Sequence, residues 1–254
     1  MTLKDFYEKH RNFSSRNASD YFLSPGIQCK FDLIFENLKN YQIAQALDLG
    51  CSGNSFLDLF DNTIHKSYLD IASLPLKRYI FSLNSHPLCG DITRLPYRDN
   101  SFNFISALDV LEHIENDAIA VSEIHRILKQ GGVVVITVPH RMKYYTYQDK
   151  IIGHYRRYEI DDIINLFRDF NFKLIRFFGV YGQLMKISFI QSNNPAKTED
   201  SLLKLRKKFE TDTSFRKIWR HFVNITSFLM KLDAKFQPKS KIMNIAFLFT
   251  KKGS

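Results

Sequence analysis

The sequence predicts an α/β fold, a doubly wound sheet of seven strands with a basic helical insertion before the last strand. Three observations predict it. From residue 44 onward, short apolar runs alternate with stretches of helical period. The first apolar run ends in a glycine turn with an acid two residues before the first glycine, "ALDLGCSGNSF" (46–56). All the excess positive charge lies after residue 180: the net charge is +10, and the first 180 residues are neutral.

The elements follow in order. Residues 1–43 read as helical, with one break at Ser24–Gly26. "AQALDL" is a short apolar strand, and "SFLDLF" opens a helix. "KSYLD" is a second strand ending on Asp70. "SLPLKRYIFSL" is helical, with Pro75 in its first turn. "HPLC" is a third strand, ending at Gly90-Asp91, and "SFNFISAL" a fourth. Residues 116–130 carry Ala120, Ile124, Ile127 and Leu128 on one helical face and stop at Gly131-Gly132. "VVVITV" is a buried fifth strand. Ile160, Ile163, Ile164, Phe167 and Phe170 line the next helix. "FKLIRFFGVY" and "KIMNIAFLFT" are the sixth and seventh strands. Strands that alternate with helices give a parallel sheet covered on both faces.

The expected organisation is a helical cap (1–43), a core (44–182), a basic insertion (183–240) and a final strand (241–254). Cys29, Cys51 and Cys89 are odd in number and scattered, so no disulfide framework or zinc spacing follows. No leader is visible in "MTLKDFYEKHRNF", and no apolar run approaches the ~18 residues of a membrane span. A reducing, cytoplasmic setting is the expectation.

In an open α/β sheet, ligands bind beyond the carboxyl ends of the strands. A dinucleotide would need G-x-G-x-x-G there, and the turn does not supply it. Asp48 beside the turn repels phosphate and favours a cation. Asp70, 22 residues later, can accept both hydroxyls of a ribose. Asp91 can accept from an adenine amino group. The site asks for ribose, adenine and a positive group, which is the form of S-adenosylmethionine.

Four blocks carry a resemblance: "ALDLGCSGN", "SYLDIASLPL", "GDITRLPYRDNSFNFISALDVLEHI" and "EIHRILKQGGVVVITVPH". Together they resemble a class I S-adenosylmethionine-dependent methyltransferase over about residues 44–140, and "GHYRRYEIDDI" is similar to a stretch in many of its members. The resemblance implies a Rossmann-like, mostly parallel sheet with the last strand antiparallel. It implies that Asp48, Gly50, Ser52 and Gly53 line the methionine end. Asp70 and Ile71 would hold the ribose, Asp91 and Ile92 the adenine. Leu108 and Asp109 would close the far side. The family usually shows D-x-G-x-G-x-G, whereas here Ser52 and Asn54 stand at the second and third glycine positions. Either two glycines are replaced, or one residue is lost and Gly53 has slid. A slid glycine is the favoured reading, because it keeps a glycine in the turn. Asn103 stands where the family often has an acid.

Methyl transfer is an in-line displacement in which the protein supplies position and, for an O–H or N–H nucleophile, a base. Candidate bases are His113, His140 and His154, with His113 and His154 preferred. The bland alternatives are packing for His113 and a loop pin for Glu112. Tyr155, Arg156 and Arg157 are candidates for binding an anionic or sugar-like substrate, or else form a solvated turn. Asp109, Glu112 and His113 have a D-x-x-E-H spacing similar to that of metal-using RNA 2′-O-methyltransferases, where His154 would complete the set. "VLEHI" is widespread in relatives without metal, so no metal is expected.

In the insertion, Phe215, Ile218, Trp219, Phe222, Leu229, Leu232 and Phe236 fall near helical spacing among Lys and Arg. This amphipathic helix is a lid, or a contact with an anionic membrane that makes the protein peripheral. Nucleic acid is the less favoured partner. The expected activity is methyl transfer from S-adenosylmethionine to a small acceptor, sugar-bearing or lipid-linked. The alternatives are an RNA methyltransferase and a non-catalytic S-adenosylmethionine-binding scaffold.

Overall fold

A computed structural model describes residues 3–9, 16–80, 83–185 and 195–253. The described residues form a seven-stranded sheet of β1 (Gln45–Leu49), β2 (His65–Asp70), β3 (Ser85–Cys89), β4 (Phe102–Leu108), β5 (Leu128–Pro139), β6 (Phe172–Tyr181) and β7 (Asn244–Lys251). The order is β3-β2-β1-β4-β5-β7-β6. The first five strands pair in parallel, and β7 runs antiparallel between β5 and β6. Chain order reverses between β1 and β4, so the ends of those two strands open a crevice.

Helices cover both faces. α1 (Leu3–Lys9), α2 (Asp20–Leu23) and α3 (Pro25–Leu38) precede the sheet. α4 (Asp117–Ile127), α5 (Tyr147–Ile151) and α6 (Ile160–Asp169) follow β4 and β5. α7 (Pro195–Thr211) and α8 (Thr213–Phe236) lie between β6 and β7. The strands' period of two divides the core. In β5, Val134, Ile136 and Val138 face α4 and α6. Val133 and Val135 face α3 on the other side. Phe167 stacks on Phe249 at 4.4 Å in the first core. Asn103 fixes the entry to β1. Its Oδ1 accepts from Ala44 N and Gln45 N, and its Nδ2 donates to Gln42 O. A carboxylate, with no donor, could not make all three bonds.

Several expected boundaries shift. The break expected at Ser24–Gly26 falls at Ser24, which ends α2 and caps α3: its Oγ accepts from Ile27 N, and Pro25 is the first helical residue of α3. "SFLDLF" makes a single 3-10 turn, Phe56–Leu59. Phe60 leaves it to pack on Phe56 and Phe104 at 5.2 and 5.7 Å. The segment at Pro75 is likewise a 3-10 turn, Pro75–Tyr79. Tyr79 stacks on Tyr68 at 3.9 Å, and its hydroxyl accepts from Ser55 N. The remainder of that segment includes residues 81–82, outside the described residues. The helix expected over 116–130 ends at Ile127, because Leu128 already pairs with Phe102 in the sheet. Gly131 and Gly132 therefore lie inside β5 at a shift of register, and Gly131 takes φ +70°.

Candidate active site

A cavity of about 570 Å³ opens at the β1–β4 crevice and extends beneath α2, α3 and α7. That volume suits a small-molecule ligand. Asp48, Gly50, Ser52, Asp70, Ile71, Asp91, Ile92, Leu108 and Asp109 line it, and so do His113, His154 and Arg157. Gly53, Tyr155 and Arg156 are not among the lining residues.

The turn after β1 is intact, held from two sides. Gly50 N and Cys51 N donate to Leu69 O at 2.8 and 3.2 Å. Gly50 has φ +68°, and a Cβ there would meet Val110 Cγ2 at 2.6 Å, so only glycine is accommodated. The second left-handed position falls on Ser52, at φ +51°. Gly53 does not supply it, so the slid-glycine reading does not describe this turn. Gly53 instead admits the N-terminal segment, since a Cβ would lie 2.0 Å from Arg16 O. Ser52 thus carries a strain that glycine would relieve. Ser52→Gly is expected to raise stability by about 1 kcal/mol. Thermal unfolding checks it, and an unchanged or lower midpoint contradicts it.

Asp70 closes the turn from β2. Its Oδ2 accepts from Ser52 N at 2.8 Å, and its Oδ1 from Ala72 N at 2.9 Å. Burial raises its pKa against those two amides. Each oxygen keeps a lone pair for a ligand hydroxyl. Asp48 is more enclosed: its oxygens accept from Ser55 Oγ and Ser106 Oγ, both at 2.5 Å. Burial pushes its carboxyl up to about 6 despite these hydroxyls. Asp91 is exposed at the end of β3, where its Oδ1 accepts from Thr93 N and Oγ1.

These acids decide what the cavity holds. Of the cationic side chains around it, Lys30 pairs with Asp109 at 2.6 Å, Arg206 with Asp20 at 2.7 Å and Arg157 with Asp149 at 2.8 Å, and the charge of Arg16 acts on Asp20 and Asp70. The ends of β1, β2 and β3 present Asp48, Asp70 and Asp91. A pyrophosphate would meet carboxylates there, whereas a nucleoside with hydroxyls, an amine and a positive centre would meet acceptors.

The far end is a cluster of acids and imidazoles. Asp109 has φ +57° and accepts from Lys30 Nζ, Thr137 Oγ1 and Asn244 Nδ2. Burial alone would raise it, but the Lys30 charge and these bonds hold it down to about 2. Glu112 is fully buried, and neither carboxyl oxygen has a hydrogen-bond partner among the described residues. Burial and the charge of Asp109 push its pKa well up. The side chain does not pin the loop; the backbone does, with Glu112 O accepting from Tyr155 N at 2.8 Å. His113 packs edge-on to His154 at 4.5 Å, and burial with that neighbour lowers it to about 4. His154 Nδ1 lies 2.8 Å from Asp149 Oδ1, and its Nε2 faces Glu112 Oε1 at 3.9 Å. Glu112, His113 and His154 bring their ligand-type atoms within 4.8 Å of one another.

Other candidates serve the fold. Arg157 Nη2 donates to both oxygens of Asp149. Arg156 bridges Asp117 and Glu115 O at the start of α4, and Tyr155 is exposed. His140 Nδ1 lies 2.9 Å from Tyr158 O, and the ring is buried. Two residues were missed by sequence reasoning. Asp149 had a weak signal, the Thr146/Asp149 capping box five residues before His154. Lys30 had none, since it reaches Asp109 from a helix 79 residues away in sequence.

Known proteins agree with this geometry. Residues 47–136 match the Methyltransferase domain family. An uncharacterized protein of Methanocaldococcus jannaschii is 35% identical over 147 residues, 55% of this chain and 61% of that protein. A demethylmenaquinone methyltransferase of Staphylococcus epidermidis is 31% identical over 97 residues, 38% of this chain and 37% of that one. The chain thus spans less than two thirds of the length of these relatives. Haemonchus contortus phosphoethanolamine N-methyltransferase 2, solved with S-adenosyl-L-methionine, superposes with a TM-score of 0.64 at 16% identity, over 100% of this chain and 60% of that one. Its likeness is one of fold. Residues 47–136 thus carry a methyltransferase domain, and the sheet order and acidic turn around it resemble those of the class I S-adenosylmethionine-dependent methyltransferases.

Proposed function

We propose that this chain transfers a methyl group from S-adenosylmethionine to an oxygen or nitrogen of a small, lipid-linked acceptor. One observation carries the reading: a single cavity joins the Asp70–Asp91 end to the Asp149–His154 pair. Bound between these ends, S-adenosylmethionine supplies an electrophilic methyl on its sulfonium. Asp70 would hold the ribose hydroxyls and Asp91 the adenine amine. Asp149, fixed by Arg157 and Thr146, orients His154 through Nδ1 and leaves Nε2 toward the acceptor. His154 Nε2 takes the proton as the acceptor oxygen or nitrogen bonds the methyl carbon. The electron pair of the broken carbon–sulfur bond stays on sulfur. His113, lowered to about 4, stays neutral, and Glu112, whose carboxyl burial pushes up, would orient the acceptor by a hydrogen bond.

The acceptor class rests on the apolar residues Ile27, Leu202 and Leu205, which line the cavity. Similarity to proteins named demethylmenaquinone methyltransferase supports the same apolar class. The test uses S-adenosylmethionine labelled in its methyl group, a total lipid extract and total RNA. The expected result is label in the organic phase. Label in RNA, or no transfer to either, contradicts the proposal.

A further inference from the structure

We propose that the outer face of α8 docks on an anionic bilayer, with the helix lying flat along the lipid surface. Ile218, Phe222, Ile225, Leu229, Leu232 and Phe236 follow one another at alternating intervals of four and three residues. That spacing draws one straight stripe along a helix. The stripe is exposed: Ile218 keeps 70% of its surface, Ile225 62% and Phe236 75%. Phe228 widens it.

Among the described residues, none buries this face. The opposite side buries Val223, Ser227, Met230 and Ala234. Lys231 ties the helix to Asp32 and Glu36 of α3, and Trp219 Nε1 donates to Leu23 O. Small inner residues therefore seat α8, and large apolar ones are left outside. A contiguous apolar face of this kind marks a contact surface.

Charge selects the occupant. From Thr213 to Lys241 the chain has seven Lys or Arg and one acid, Asp233. Asp233 turns inward, accepting from Leu184 N and Gln237 Nε2. Lys217, His221 and Lys235 are exposed along one flank of the stripe, and Lys239 and Lys241 extend beyond its end. Apolar side chains in the acyl boundary with ammonium groups at the head groups match an anionic lipid surface. A second copy is a poorer occupant, because antiparallel pairing of two stripes would bring the like charges of Lys217 and Lys235 together. An RNA backbone would leave the apolar stripe unused. Among the described residues no helix is long and apolar enough to cross a membrane, so the contact is along the surface.

The placement also serves a lipid-linked acceptor. α8 packs on α3, whose Gly26, Ile27, Lys30 and Phe31 line the cavity. Docking leaves two helix layers of about 10 Å each, α3 and α8, between the cavity and the lipid. The surface does not depend on the methyl-transfer reading, since vesicle binding requires neither cofactor nor turnover.

The test is co-sedimentation of the full chain with vesicles of phosphatidylcholine alone and mixed with phosphatidylglycerol. Binding is expected to be about tenfold or more tighter to the mixed vesicles and to weaken with salt. The variant Ile225→Asp with Phe236→Asp alters only exposed side chains. It is expected to lose about tenfold or more of that binding, with cofactor affinity and thermal midpoint kept. Lys217→Glu with Lys235→Glu is expected to remove the preference for the mixed vesicles. The proposal is overturned by no binding to the mixed vesicles, or by unchanged binding in the aspartate variant. It is also overturned if the chain binds RNA instead, or forms a dimer that the aspartate variant abolishes while vesicles are ignored.

Discussion

Asp70→Ala is expected to weaken S-adenosylmethionine binding by about 100-fold or more, measured by calorimetry. Two effects add. A ribose loses an acceptor for its hydroxyls, and hydrogen bonds to a charged group are worth about 1.5–3 kcal/mol each. The turn also loses its pin, because Asp70 Oδ2 accepts from Ser52 N. Ser52 is held in a left-handed conformation that its own side chain disfavours, so the loop relaxes once that bond is gone. Asp70→Asn keeps carbonyl acceptance and should fall between the two. The alanine variant should still fold, since removing a buried carboxyl also removes its desolvation cost. Affinity unchanged in Asp70→Ala contradicts the assignment of this end of the cavity.

The second large effect concerns the far end. His154→Ala is expected to lower turnover by about 10²–10⁴-fold while leaving S-adenosylmethionine affinity within about threefold. Geometry sets this expectation: the ring lines the cavity, and Asp149 holds Nδ1, which leaves Nε2, 3.9 Å from Glu112 Oε1, as the other ring nitrogen. Asp149→Asn should lose less, since the amide can still meet the ring but cannot support a positive imidazolium as well. Stopped turnover with collapsed cofactor affinity would mean that the ring shapes the cofactor pocket. Unchanged turnover would move the base elsewhere, or show that the acceptor needs none.

The strands and the acids at their ends were legible in the sequence, for a physical reason. Strands buried on both faces write themselves as apolar runs, and "VVVITV" is buried throughout within β5. Asp48, Asp70 and Asp91 are legible because each is a lone acid at the end of such a run. The short connections were not legible as they stand. Phe60 and Tyr79 end their turns to make ring contacts with residues distant in sequence, and helical periodicity carries no trace of those contacts. The same holds for Lys30, whose partner Asp109 lies across the cavity. "GHYRRY" was legible as a segment of interest but not residue by residue. His154 and Arg157 turn inward onto Asp149, while Arg156 ties down α4. The glycine turn held the instructive ambiguity. The tolerance of glycine for a tight turn favours a slid glycine, but backbone angles place the strained position on Ser52 and give Gly53 to a close approach by Arg16.

The most direct test of the central claim is a calorimetric titration of the unmodified chain with S-adenosylmethionine and, separately, with NAD. The acidic turn predicts one S-adenosylmethionine per chain with a dissociation constant on the order of micromolar, and no heat from NAD. Binding of NAD, or no binding of S-adenosylmethionine at millimolar concentration, would contradict it.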